Sequence, residues 1–180
     1  LTGNEMVRRF LRYLKRKYPA KPKALKVPVT VSVLTRILPL MPGWPDMSAM
    51  SPDDRTFTCA SVIAVAGFLR GGEFLSSPKS TRAVLLGKDP FTKLIDGRMA
   101  VVVNTPQPKA SWWLPHQSVP CFQIDPDDTY CPVRLWLEYK TRCPLLRASG
   151  PAFLLQGKVL TRDYMVTRTA ALMRIAQISF

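Results

Sequence analysis

Histidine is almost absent from this chain: His116 alone occurs, beside Pro115 and with no acid near it in sequence, so a base built on it has no orienting partner. A surface or hairpin-packing role fits it better. No glycine-rich phosphate loop of Walker type, no Rossmann fingerprint and no His-Glu-x-x-His motif occurs, which removes the usual support for nucleotide or zinc enzymology. Cys59, Cys121, Cys131 and Cys143 lack the paired close spacing of a zinc site and read as reduced packing thiols of a cytosolic or nuclear protein. Apolar runs are short. Ala60 to Leu69 is closed by Arg70 well before the roughly 18 residues that a membrane span needs. The cationic start of the chain leads into an amphipathic segment rather than an apolar signal core, so secretion is not expected. There is no internal repeat.

Acids are also scarce, 12 against 26 Lys and Arg, leaving a formal charge of +14. A field of that sign steers polyanions, and nucleic acid is the favoured partner ahead of an anionic membrane surface. With 47% hydrophobic residues in 180, the chain can bury one sizeable core, so disorder is not the main expectation.

Three stretches divide the chain. Residues 1–18 carry Met6, Val7, Phe10, Leu11 and Leu14 on one helical face, with Arg8, Arg9, Arg12, Lys15, Arg16 and Lys17 around the rest. Thr2 and Glu5 have capping-box spacing. Residues 19–28 intersperse Lys21, Lys23 and Lys26 with proline and alanine and read as a basic linker. Residues 29–180 form the main domain. There Thr30 caps a short helix through Val33, Leu34, Ile37 and Leu38, and Ser51-Pro52-Asp53-Asp54 starts a second, apolar nearly all round and running to Leu69, which should be the central buried helix. Short β-type runs follow at Ala83–Leu86, Met99–Val103 and Ser118–Ile124, predicting a small antiparallel sheet. Helix returns at Asp128-Thr129-Tyr130-Cys131-Pro132 and again from Thr161 through Ile175 to the chain end. The expected fold class is α/β, mostly α.

The segment Ala66-Gly67-Phe68-Leu69-Arg70-Gly71-Gly72-Glu73 ends the apolar helix with one arginine and one glutamate. Arg70 at such an edge needs an anionic partner, either phosphate or, through an i, i+3 salt bridge, Glu73 itself. Thr105-Pro106-Gln107-Pro108-Lys109-Ala110-Ser111-Trp112-Trp113 is a proline-rich hairpin tip. Its lysine is either an exposed hairpin residue or a functional one, and its tryptophans are either core or a stacking platform for bases. The basic face of residues 1–18, continued by Lys21, Lys23 and Lys26, reads as a solvated surface or a phosphate-tracking one.

In order and in motif, Pro28-Val29-Thr30 to Leu34, Ala66 to Phe74, Pro108-Lys109-Ala110, Cys131-Pro132-Val133, Gly150-Pro151-Ala152-Phe153 and Leu160-Thr161-Arg162 resemble the catalytic domain of tyrosine recombinases, the phage-integrase superfamily. The likeness is nearest to the versions carried by DIRS-like and Crypton-like mobile elements and covers most of the chain. It implies a helical body with a small three-stranded sheet, residues 1–18 being the tail of a preceding core-binding domain. It implies DNA breakage and rejoining through a 3′-phosphotyrosine, without cofactor, metal or small-molecule substrate, on double-stranded DNA, in a nuclear or cytoplasmic protein that acts alone or with copies of itself on that DNA. Arg70 would be the first catalytic arginine, Lys109 the general acid protonating the leaving 5′-hydroxyl, and Glu73 a supporting group. Lys88 is a weaker candidate for that lysine. In-line attack on a phosphodiester builds charge on the non-bridging oxygens, which a bidentate guanidinium neutralises, while the departing alkoxide needs a proton donor. The family's His-x-x-Arg box and nucleophilic tyrosine find no match before Phe180, and Tyr139 and Tyr164 stand in the wrong motifs. The expectation is a truncated catalytic domain inactive in strand transfer alone. The alternatives are a non-catalytic basic nucleic-acid-binding or protein-interaction module, and an RNA-binding domain stacking bases on Trp112 and Trp113.

Overall fold

The computed structural model describes Glu5, Val7 and residues 29–69, 74–76, 85–106, 116–123, 125 and 128–178. Glu5 and Val7 are helical, as expected of the opening segment. Among the described residues, four helices of given range (α1 to α4), a three-stranded antiparallel sheet and a two-residue-stranded hairpin make up a mixed α/β arrangement. The described helices and strands show no helix long and apolar enough to cross a membrane.

Helix α1 (Val31–Ile37) starts where Thr30 Oγ1 accepts the Val33 N–H at 3.4 Å, and it buries Val33, Leu34 and Ile37 before a 3-10 turn at Leu38–Leu40. Helix α2 (Pro52–Ala66) starts from three agreeing local signals. Ser51 Oγ accepts the Asp54 N–H at 3.1 Å, proline occupies the first turn, and Asp53 and Asp54 sit at the positive end of the helix dipole. Nine consecutive-region residues from Asp54 to Ile63 apart from Arg55 are buried, so α2 is the central helix that its composition requires.

Strands β1 (Pro90–Ile95), β2 (Arg98–Pro106) and β3 (His116–Phe122) pair in chain order, with Thr92 opposite Val101 and Val101 opposite Cys121. Asp96 and Gly97, at φ 48° and 74°, form the tight turn of the first hairpin, the conformation for which an Asp-Gly pair is suited. The first strand of the described sheet is therefore Pro90–Ile95 in place of the expected run ending at Leu86, of which the described part, Leu85 and Leu86, makes an isolated bridge from Leu86 to Pro151 and accepts the Ala152 N–H at Leu85 O at 2.8 Å. Val101 and Val103 of β2 are fully buried, while β1 is exposed at Phe91, Thr92, Lys93 and Leu94.

Helix α3 (Pro132–Arg142) packs against α2 and against β2 and β3. Its N-cap is Cys131 with no side-chain cap bond; Asp128 accepts the Tyr130 N–H at 2.8 Å and shapes the turn before it. Trp136 and Tyr139 of α3 meet Phe153 at ring-centroid separations of 6.2 and 5.8 Å, with Phe74 edge-on to Phe153 at 6.3 Å. These four rings centre the core. Strands β4 (Leu154–Leu155) and β5 (Lys158–Val159) form a hairpin through Gln156 and Gly157, both at positive φ. Helix α4 (Arg162–Ile175), capped by Thr161, ends at Ile175 rather than continuing to the chain end.

Candidate nucleic-acid interface

At its C-terminus α2 is closed by three main-chain bonds. Gly67 N–H donates to Ile63 O at 2.9 Å, Phe68 N–H to Val65 O at 3.2 Å and Leu69 N–H to Ala64 O at 2.8 Å. The last two are the paired bonds of a Schellman cap, whose left-handed position glycine usually occupies. Here it is Phe68, at φ 49° and with its ring 93% exposed. A non-glycine residue in that region stores strain, and a phenylalanine facing solvent gains no burial in return.

The cap is held against the sheet by Cys121 of β3. Its thiol lies 3.8 Å from Ile63 O, and a Cβ on Gly67 would lie 3.1 Å from the same sulfur. Glycine at 67 thus permits close approach of helix end and strand. Burial pushes the Cys121 thiol from the ordinary 9.0 up to about 11, and raises Cys59 well above that ordinary value by desolvation first and by Cys143 second. Both thiols are packing groups that resist ionisation. All four cysteines are free.

Leu69 and Phe74 bracket the segment that carries Arg70 and Glu73. Phe74 is buried against Phe153, and the chain just beyond it is fastened to the start of α4: Ser76 N–H donates to Leu160 O at 3.1 Å, and Ser76 O accepts the Arg162 N–H at 3.0 Å. Arg70 and Glu73 themselves lie outside the described residues. So do Lys109, Trp112 and Trp113 between β2 and β3, and Arg8, Arg9, Arg12, Lys15, Arg16, Lys21, Lys23 and Lys26 before α1. The described elements flanking them are the end of α2, Phe74 to Ser76, and strands β2 and β3.

Lys88 is described. It is exposed in the turn before β1, its N–H donating to Ala148 O at 3.1 Å, and so it precedes the whole sheet instead of following a first strand. His116 pairs with Pro106 at the start of β3. Tyr139 is buried, its hydroxyl accepting the Leu154 N–H at 3.2 Å, and burial raises its pKa first of all. Tyr164 on α4 is half-buried, raised first by burial and then by Asp53. Both tyrosines serve packing. Among the described residues no three His, Cys, Asp or Glu side chains converge in a way that would hold a metal ion.

Several described arginines are engaged within the fold. Arg36 donates to Ala176 O at 2.8 Å, Arg98 lies 5.1 Å over the Phe122 ring, and Arg134 meets Glu138 at 3.5 Å. In the sequence Phe68 reads as one more residue of the apolar helix running to Leu69; its exposure follows from the helix ending at Ala66, three residues earlier. No protein-family model, curated protein or solved structure matches this chain.

Proposed function

We propose that the chain binds duplex DNA through its phosphate backbone, on a scaffold like the catalytic domain of tyrosine recombinases. The observation that supports this most is one of order. A buried helix is closed and pinned at Leu69, Arg70 follows directly in sequence, and later in the chain come three antiparallel strands whose β2–β3 connection carries Lys109, all in a chain of charge +14.

In this reading Arg70 clamps the non-bridging oxygens of one phosphate, Lys109 protonates a leaving 5′-hydroxyl, and Glu73 holds the arginine's loop. The basic face of residues 1–18 and the lysines of 19–28 supply sequence-independent phosphate contacts. The parent reaction is breakage and rejoining through a 3′-phosphotyrosine. It requires a second arginine and a tyrosine nucleophile in addition to Arg70 and Lys109, and duplex binding is the step proposed and tested for this chain.

Fluorescence anisotropy with a labelled duplex, titrated over a range of salt, tests the proposal. The expected result is a steep linear fall of log affinity with log salt, on the order of several counterions released. A flat salt dependence or no association would overturn it.

A further inference from the structure

A concave surface lies at the N-terminal end of α2, the end away from Leu69. Fifteen residues of α-helix separate the two ends, about 20 Å. The cleft encloses about 440 Å³ between the first turns of α2, the C-terminal end of α3 and the β4–β5 hairpin, within the size range of small-molecule sites.

Its back wall is rigid. Leu154 is gripped through both main-chain groups: its N–H donates to Tyr139 Oη at 3.2 Å, and its carbonyl accepts Thr56 Oγ1 at 2.7 Å. Pro52, Leu145 and Leu154 give an apolar lining, and Arg55 and Arg142 stand at its edges. Arg55 makes one long polar contact, Nη1 to Met47 O at 3.4 Å, which leaves most of its donors free.

Arg142 is exposed, and the carboxylate that senses it is Asp46. Both oxygens of Asp46 are already occupied, accepting Ser48 N–H and Ser48 Oγ at 2.7 Å each, and these bonds come before Arg142 in holding the Asp46 carboxyl below its ordinary range. Asp53 is turned toward Gln156, whose Nε2 donates to it at 3.1 Å, while Asp54 pairs with Arg168 at 2.7 Å. Among the described residues neither Arg55 nor Arg142 has a carboxylate partner at ion-pair distance, and no carboxylate lines the cleft.

Two lining arginines without a carboxylate at ion-pair distance, beside apolar lining residues, select a ligand with both properties. We propose that this cleft binds a small organic anion with a flat apolar body, the body against Pro52, Leu145 and Leu154 and the charge between Arg55 and Arg142. A phosphate of a duplex backbone would use the charges and leave the apolar wall wet, which is why the cleft is assigned a separate ligand class from the DNA surface.

The experiment uses 2-naphthoate as the probe, with 2-naphthalenemethanol and inorganic phosphate as its apolar-only and charge-only counterparts, titrated against the full chain by calorimetry and amide NMR. Naphthoate should bind saturably and move the signals of residues 139–145 and 154–157, with both counterparts weaker by about tenfold or more. Arg55→Gln with Arg142→Gln, and separately Leu145→Trp at an exposed lining position, should each weaken naphthoate by about tenfold while melting temperature holds. Absence of saturable naphthoate binding, equal binding of either counterpart, or binding undiminished in folded variants would overturn the proposal. Duplex binding is read in parallel on the same variants, so failure of the cleft and failure of the DNA reading are separately visible.

Discussion

Arg168 Nη2 of α4 lies 2.7 Å from Asp54 Oδ1 in the first turn of α2, joining residues 114 apart in sequence. Asp54 is also the residue whose N–H and Oδ2 engage Ser51 Oγ, at 3.1 and 2.8 Å, so one carboxylate serves the helix cap and the tie between two helices. Its side chain is 12% exposed and that of Arg168 34%, a geometry between a solvated surface pair and a fully desolvated one. Removing either partner leaves a largely dry charge behind. Asp54→Ala should cost about 2–3 kcal/mol and Arg168→Ala about 1–2 kcal/mol in urea unfolding. A double-mutant cycle should return a coupling of about 1 kcal/mol; a coupling of zero would mean that the pair is incidental.

Two glycines at positive φ should respond oppositely to substitution. A Cβ on Gly43 (φ 87°) would fall 2.6 Å from Ala49 C and 2.8 Å from Met50 N, both main chain. Gly97 (φ 74°) has nothing within 4 Å of that position. Gly43→Ala should therefore lower stability by more than about 2 kcal/mol, while Gly97→Asn, which tolerates the left-handed region in a tight turn, should change it by less than about 1 kcal/mol. Thermal unfolding of the two variants side by side decides the matter.

The buried thiols predict a loss of stability in alkali. Cys121 has its pKa raised to about 11 from 9.0, so between those values the unfolded chain gives up a proton that the folded chain keeps. The contribution is whole below pH 9 and is lost as pH rises through about 11, with a slope of up to about 1.4 kcal/mol per pH unit from this one group. Cys59 and Tyr139 are raised in the same direction by burial and extend the loss upward. In Cys121→Ala the fall in urea midpoint between pH 8 and pH 10.5 should be shallower than in the parent; parallel falls would show that the thiol does not titrate with unfolding.

What could be read from the chain before its fold was known was decided by locality. Helix α2 was legible because Ser51, Pro52, Asp53 and Asp54 are adjacent and each favours a helix start for its own reason. Strand β1 was displaced because it shows no period-2 alternation: four successive residues, Phe91 to Leu94, are exposed. The Asp96-Gly97 pair marking its turn was the signal that could have placed it. The β4–β5 hairpin has two residues per strand, too few for any period, and only Gln156-Gly157 hints at its turn. The apolar-and-arginine cleft was not legible at all, since Arg55 and Arg142 come to line one cleft only when α2 packs on α3. The residues proposed for phosphate chemistry were named from motif order, and the structure describes the elements flanking them.

Phe68 offers a test that separates stability from function at the edge of the proposed DNA surface. Its backbone occupies the left-handed cap position at φ 49° that glycine fills without strain, and its ring is 93% exposed. On stability alone Phe68→Gly should be neutral or stabilising by up to about 1 kcal/mol, because relief of strain is set against the greater freedom of glycine in the unfolded chain. A strained residue that buries nothing leaves its side chain free for a partner, and Arg70 stands two positions away in sequence. If that partner is DNA, Phe68→Gly should weaken duplex affinity by several-fold while leaving the salt slope unchanged, since the ring carries no charge. Arg70→Ala, by contrast, should reduce the slope by about one counterion. A Phe68→Gly protein that is as stable as the parent and binds duplex equally well would remove the ring from the interface.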